Sequence, residues 1–223
     1  MKRTTVLLAD DHMIVREGFR RLLEREDDIE VVDEAQTGRQ ALEMARGLHP
    51  DVVVMDIAMP LLNGLEATRQ ILKAVPGIKV IILSAHSEDA YVEQAIEAGA
   101  SGFLFKQSSA NTLSDAIREV CKGKSYFSPA IMKRFRDKSP SGRAGALKKQ
   151  LERLTSRELE VLQLIAEGKA NKQTAAELGI GIKTVEKHRD HLMQKLDIHD
   201  TAGLTRYAIG AGIIESGVQL KIV

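Results

Sequence analysis

Cysteine is nearly absent: Cys121 stands alone in 223 residues, which excludes an intrachain disulfide framework and leaves no thiolate set for zinc. A reducing cytoplasm is the compartment this implies. Long hydrophobic runs are missing too. The apolar stretch after Met1-Lys2-Arg3 breaks at Asp10-Asp11, too short for a signal-peptide core and far below the ~18–20 residues that cross a bilayer. The chain is therefore expected to be soluble, with no membrane partner. Nor does charge of one sign prevail, since 32 Lys and Arg face 31 Asp and Glu. What is present is a 43% hydrophobic, 28% charged composition, close to the globular average, which sets aside disordered, collagen-like and low-complexity classes. At this length one large or two ordinary domains are expected.

The even charge hides a division. Residues 1–130 carry 15 basic and 20 acidic side chains, whereas residues 131–223 carry 17 and 11. Such asymmetry suggests an acidic unit joined to one that meets a polyanion. Most of the excess sits at 131–153, with 8 basic and 2 acidic residues, so 154–223 balances at 9 of each and its total charge argues nothing about DNA.

Apolar β-type runs alternate with amphipathic stretches from residue 5 to about 124, which predicts parallel strands joined by crossover helices. Strands are expected at 5–9, 30–35, 52–55, 80–83 and 102–105, and helices at 13–25, 39–47, 64–74, 88–98 and 110–122. The nearly all-apolar third and fourth strands belong at the centre of a sheet covered on both faces. The fold class is thus α/β, a doubly wound five-stranded parallel sheet over 1–124, followed by a basic linker at 125–150 with a short helix over 129–137. Thr155-Ser156-Arg157-Glu158 supplies a capping box that opens a small all-α domain, 151–223, with helices at 156–167, 171–178, 182–196 and 201–210.

The polar residues of the first domain stand at strand carboxyl ends: Asp10-Asp11, Asp56, Ser84 and Lys106. In an open parallel sheet these ends form the rim where ligands bind. Three carboxylates there repel one another by several kcal/mol unless a cation joins them, and a hard oxygen site of this kind suits Mg²⁺. Lysine and hydroxyl donors on the same rim suit an anion. The chemistry that fits is phosphoryl transfer onto Asp56. Taken singly, an Asp-Asp pair after a strand is often a helix cap and a Lys after a strand is usually solvated; the ordered set is what points to a site.

Asp10-Asp11, Asp56 with Met59-Pro60 and Gly64, Ser84-Ala85 and Lys106 make residues 4–124 resemble a receiver domain of two-component response regulators. The resemblance implies that Asp56 accepts a phosphoryl group from a histidine kinase, and that Asp11, Asp56 and the Ala58 backbone carbonyl bind Mg²⁺, with Asp10 acting through water. It implies that Lys106 bridges to the acyl phosphate, that Ser84 moves inward to donate to it, and that Phe103 is the aromatic that switches with Ser84. Gln107 follows Lys106 where many receivers have proline, and a cis bond there would cost roughly 2.5–4 kcal/mol. Ala58 and His86 occupy positions that tune acyl-phosphate lifetime in the family.

Within 154–210, two helices meet at the turn Gly179-Ile180-Gly181, which is helix-turn-helix grammar. The second helix sets Ile182, Val185, Leu192 and Leu196 on an apolar side and leaves Lys183, Lys187, Arg189 and Gln194 for phosphates and base edges. The pattern suits a four-helix packing module with a charged face equally well. Leu154 to Leu162, Ile165-Ala166-Glu167-Gly168, Asn171-Lys172, Ala175, Leu178-Gly179-Ile180, Thr184-Val185, His188 and Lys195-Leu196 resemble the LuxR-type output domain. With the receiver, this indicates a NarL/FixJ-type regulator. The resemblance implies a helix at 182–196 in the major groove of promoter DNA, with Lys172 and Thr184 as phosphate contacts and His188 as either packing or a phosphate contact. It places the dimer interface on 201–210, where Leu204, Tyr207 and Ala208 form part of an apolar stripe. Gly181 and Glu186 depart from the residues usual in the family. His188, His191 and His199 lack the Cys or carboxylate partners of a metal site.

The expected protein is thus a cytoplasmic, non-enzymatic transcription factor. Phosphorylation at Asp56 makes it a homodimer that binds promoter double-stranded DNA, and RNA polymerase is admitted as a further contact. Two alternatives stay open at this stage: an Asp-dependent phosphohydrolase, and a phospho-switched protein-interaction module.

Overall fold

A computed structural model describes residues 3–85, 89–107, 110–127, 151 and 153–214. The chain divides into two compact units, Met1–Lys138 and Ser139–Val223. His86, the expected helix over 129–137 and the linker from 128 to 150 lie outside the described residues.

The first unit alternates strand and helix throughout: β1 Thr4–Ala9, α1 Met13–Leu23, β2 Ile29–Ala35, α2 Gly38–Leu48, β3 Val52–Asp56, α3 Gly64–Ala74, β4 Lys79–Ser84, α4 Asp89–Glu97, β5 Gly102–Phe105 and α5 Ala110–Cys121. The strands form one parallel sheet in the order β2-β1-β3-β4-β5. This is the doubly wound, flavodoxin-like arrangement. Strand periodicity sorts the core into two layers. Leu7, Val53, Met55, Val80, Ile82 and Phe103 pack beneath α2, α3 and α4 through Ala41, Leu42, Leu65, Ile71, Val92 and Ala95. Val6, Leu8, Val52, Val54, Ile81, Leu83 and Leu104 face α1 and α5 through Leu23, Leu113, Ile117 and Val120.

Register brings the rim together. Ala9 pairs with Met55, Asp56 with Leu83, and Ser84 with Phe105, so the ends of β1, β3, β4 and β5 run level. Asp56 and Ser84 close their strands rather than follow them, one residue beyond the sequence expectation, because pairing extends that far. The order reverses between β1 and β3, with β2 on one side and β4 on the other. That is the switch point where open α/β sheets bind ligands.

The second unit contains α6 Ser156–Ala166, α7 Asn171–Leu178, α8 Ile182–Leu196 and α9 Thr201–Gly210. The capping box forms as its sequence requires: the Glu158 amide donates to Thr155 Oγ1 at 3.3 Å, and the Thr155 amide donates to the Glu158 carboxylate at 2.8 Å. Gly179, at φ +62°, makes the left-handed turn between α7 and α8 that a side chain would resist. α8 and α9 both pack on α6. This packing corrects one expectation. Leu204, Tyr207 and Ala208 are 0%, 8% and 0% exposed within a single chain, so they are core residues of the helical unit and present no surface to a second copy. The outer side of α9 is Ala202, Arg206 and Ile209. Among the described residues no helix is long and apolar enough to cross a membrane.

Candidate functional site

The rim of the sheet concentrates charge that has been taken out of water. Asp10 and Asp56 are buried, and the Lys106 ammonium lies 2.8 Å from Oδ2 of each. Asp11, next to Asp10, faces solvent. The Lys106 amide donates to the Ser84 carbonyl at 2.8 Å, which holds the end of β5 against β4 with the Ser84 side chain buried. Among the described residues no peptide bond is cis, so Lys106–Gln107 is trans. Phe103 lies inside the layer beneath α2, α3 and α4, edge-to-face with the more exposed Phe105 at 5.6 Å.

Burial first, and then the neighbouring Asp10 charge, push the Asp56 carboxyl up to about 7 against the opposing pull of Lys106. Burial also disfavours the Lys106 ammonium, but Asp56 and Asp10 outweigh it and hold the lysine above its ordinary range. Asp10, Asp11, His12 and Asp56 each offer one ligand atom, all within 4.8 Å of one another. Among the described residues the Lys106 ammonium is the one partner of the buried Oδ2 atoms of Asp10 and Asp56, so acceptor capacity is left over. Hard oxygens with unused lone pairs fit a divalent cation. Ala58 is half-buried in the loop that follows β3.

Sequence reasoning overlooked two neighbours. The His12 amide donates to Asp10 Oδ1 at 2.9 Å, and His12 Nδ1 lies 2.7 Å from Asp11 Oδ1 and 3.2 Å from Asp10 Oδ1. Buried Arg16 donates to the Asp10 backbone carbonyl at 2.7 Å and to Glu34 at 3.2 Å, while Arg20 holds the other Glu34 oxygen at 2.7 Å. With the Asp10 amide donating to Ala35, both main-chain polar groups of Asp10 are fixed. An arginine four residues into an exposed helix gave no signal of this inward reach.

In the helical unit Lys172, Lys183, Thr184 and Lys187 are exposed, and His188 is half-buried. Arg189 is occupied elsewhere. Its guanidinium donates to Asn171 Oδ1 at 3.3 Å and to Thr201 Oγ1 at 2.6 Å, tying α8 to the starts of α7 and α9. Arg189→Ala is expected to lower the stability of this unit by roughly 1–2 kcal/mol in thermal unfolding. Lys187→Ala, which touches no partner among the described residues, is expected to leave it unchanged.

Comparison with known proteins settles what these two units are. Residues 6–118 match the response regulator receiver domain, and residues 152–208 match the bacterial regulatory proteins of the luxR family. The chain is a LuxR-family response regulator. It is 37% identical over 208 residues to the transcriptional regulatory protein DegU of Brevibacillus brevis, covering 87% of this chain and 88% of that one. With the response regulator protein VraR of Staphylococcus aureus it shares 38% over 213 residues, covering 94% and 98%. A solved complex of the two-component response regulator RcsB with DNA is similar at a TM-score of 0.54 and 27% identity, over 92% of this chain and 98% of that one. This response regulator is accordingly a transcriptional regulator of a two-component system, not an enzyme in the usual sense. Its receiver implies a histidine kinase as partner, and its output domain implies DNA.

Proposed function

We propose that Asp56 accepts a phosphoryl group from a kinase phosphohistidine in a Mg²⁺-dependent step, and that the acyl phosphate favours a homodimer bound to promoter DNA. The observation that carries this is the pair of buried carboxylates, Asp10 and Asp56, sharing one ammonium beside solvent-facing Asp11. An Asp56 carboxylate oxygen attacks phosphorus, the phosphorus–nitrogen bond breaks, and the imidazole leaves with its electron pair and takes up a proton. Asp10, Asp11, Asp56 and the Ala58 carbonyl would hold a divalent ion, which would supply countercharge for the transferring oxygens. Lys106 follows the charge from the free carboxylate to the acyl phosphate, and the Ser84 hydroxyl donates to a phosphate oxygen, with Phe103 adjusting beside it. Asp10 and Asp11 keep the site specific for a cation.

The output side rests on exposed Lys172, Lys183, Thr184 and Lys187 with half-buried His188, and on the solved RcsB–DNA complex. α8 enters the major groove, the lysines and Thr184 meet phosphates and base edges, and a second copy joins through the outer side of α9. Residues 125–150 serve as the basic linker between a receiver at 1–124 and an output domain at 151–223. The protein works in the cytoplasm, where bound DNA places it within reach of RNA polymerase.

Labelled phosphohistidine kinase tests the first step. Wild-type chain is expected to take up label only with Mg²⁺ present, and Asp56→Asn to take up less than about one hundredth as much, because an amide lacks the nucleophilic oxygen. Normal labelling of Asp56→Asn overturns the assignment.

A further inference from the structure

α8 turns one continuous stripe to solvent. Lys183, Glu186, Lys187, Asp190 and Gln194 fall at i, i+3, i+4, i+7 and i+11 and are all exposed, while Val185, Leu192 and Leu196 are buried on the opposite side. In a helix-turn-helix the early residues of the second helix meet base edges. Here two members of that stripe are acids.

Neither acid is tied down within the folded unit. The Glu186 and Asp190 carboxylates form no ion pair or hydrogen bond among the described residues. Lys183 and Lys187 stand three residues before Glu186 and Asp190, a spacing at which opposite charges attract by only about 0.2–0.5 kcal/mol, and the two acids, four residues apart, repel by a similar amount. Both stand beyond the first turn of α8, where the positive end of the helix dipole has faded. A duplex also repels them, so phosphate attraction does not account for their place on a DNA-facing surface. On that surface a carboxylate fills one role better than a lysine: accepting a hydrogen bond in the major groove, where cytosine presents its N4 amine. The acid's own charge then works as discrimination. Thymine offers the O4 acceptor and guanine offers O6 and N7, all of which repel a carboxylate, whereas adenine offers one amine beside an acceptor.

We propose that Glu186 is a specificity-determining residue of this regulator, its carboxylate accepting from the N4 amine of a cytosine in each operator half-site. Lys187, beside it, donates to guanine O6 or N7, and Asp190, one turn on, accepts from a second cytosine amine. The half-site is therefore rich in C·G pairs, with a base ranking of C, then A, then T and G at the Glu186 position. This rests on the proposed docking of α8 in the major groove.

The test is selection of bound duplexes from a random library with the full chain at one fixed salt concentration, using wild type, Glu186→Gln, Glu186→Lys and Asp190→Asn. Wild type is expected to enrich a cytosine at one position of each half-site. Glu186→Gln should move that position towards adenine, which pairs with a side-chain amide, and Glu186→Lys should move it towards guanine. Exchanging the selected C·G for T·A should weaken wild type by about 5-fold to about 100-fold and the Gln variant by less than about 2-fold. Binding of the Gln variant to random-sequence duplex should equal or exceed that of wild type, because a negative charge has been removed. If all four proteins select the same motif with the same discrimination, the inference falls and DNA binding through α8 stands. If wild type binds no duplex, the docking falls and the inference with it.

Discussion

Lys106→Met is expected to destabilise the receiver unit by about 3–5 kcal/mol at neutral pH, the cost of leaving buried charge without its partner. One ammonium serves two buried carboxylates at 2.8 Å, so its removal exposes Asp10 and Asp56 to each other. The effect depends on pH in a definite direction. With the Asp56 carboxyl at about 7 rather than its ordinary 3.8, the folded chain keeps a proton that the unfolded chain has lost. Stability therefore falls as pH rises through that interval in the metal-free protein. Lys106 restrains the shift, so the variant falls further, and its deficit against wild type shrinks on acidification towards pH 4. Adding Mg²⁺ is expected to raise the melting temperature of both proteins and recover part of the deficit, because a cation again joins the acids. Thermal unfolding from pH 4 to 8, with and without Mg²⁺, checks all three outcomes. A constant difference between the proteins across that range contradicts the shared-ammonium account.

Gly64→Ala is the second large effect. A Cβ at Gly64 would stand 1.8 Å from the Asp56 carbonyl oxygen, 2.8 Å from its carbon and 3.0 Å from Met55 Cγ. Two of these atoms are main chain of Asp56 at the end of β3, so no side chain can swing aside. The Gly64 amide also donates to the Ile57 carbonyl at 2.8 Å, which holds the start of α3 against the end of β3. We expect a stability loss at or above the roughly 1–3 kcal/mol typical of overpacking, together with loss of phosphoryl uptake as Asp56 is displaced. Gly47→Ala is the control. Nothing lies within 4 Å of a Cβ there, so its melting temperature should be unchanged or higher. Equal behaviour of the two variants would show that the close approach does not constrain the site.

The sheet and its charged rim were legible in the sequence because strand alternation and strand-end position are local properties. Asp10, Asp56, Ser84 and Lys106 each follow or close an apolar run, and parallel pairing then carries them to one edge. Where a side chain's destination depends on another element, local pattern was insufficient. Nothing in the local pattern around Arg16 points to Glu34, which β2 brings beside it. Arg189 read as a DNA contact because it is cationic on the second helix of the turn; that Asn171 and Thr201 also reach its guanidinium depends on the packing of α7 and α9, which the local pattern does not carry. The apolar stripe of Leu204, Tyr207 and Ala208 carries no label saying whether it meets the same chain or another, and α6 covers it.

The two-layer core gives the receiver a handedness in how it can respond. Phe103 and Leu104 are adjacent on β5, yet the first belongs to the layer under α2, α3 and α4 and the second to the layer under α1 and α5. A ring turning at Phe103 presses on one flank of the sheet, and the strand itself screens the other. The side chain of Phe103 therefore meets α2, α3 and α4, while the next residue along the same strand meets α1 and α5, so a substitution that reshapes the ring disturbs one flank of the sheet and leaves the packing of the other intact.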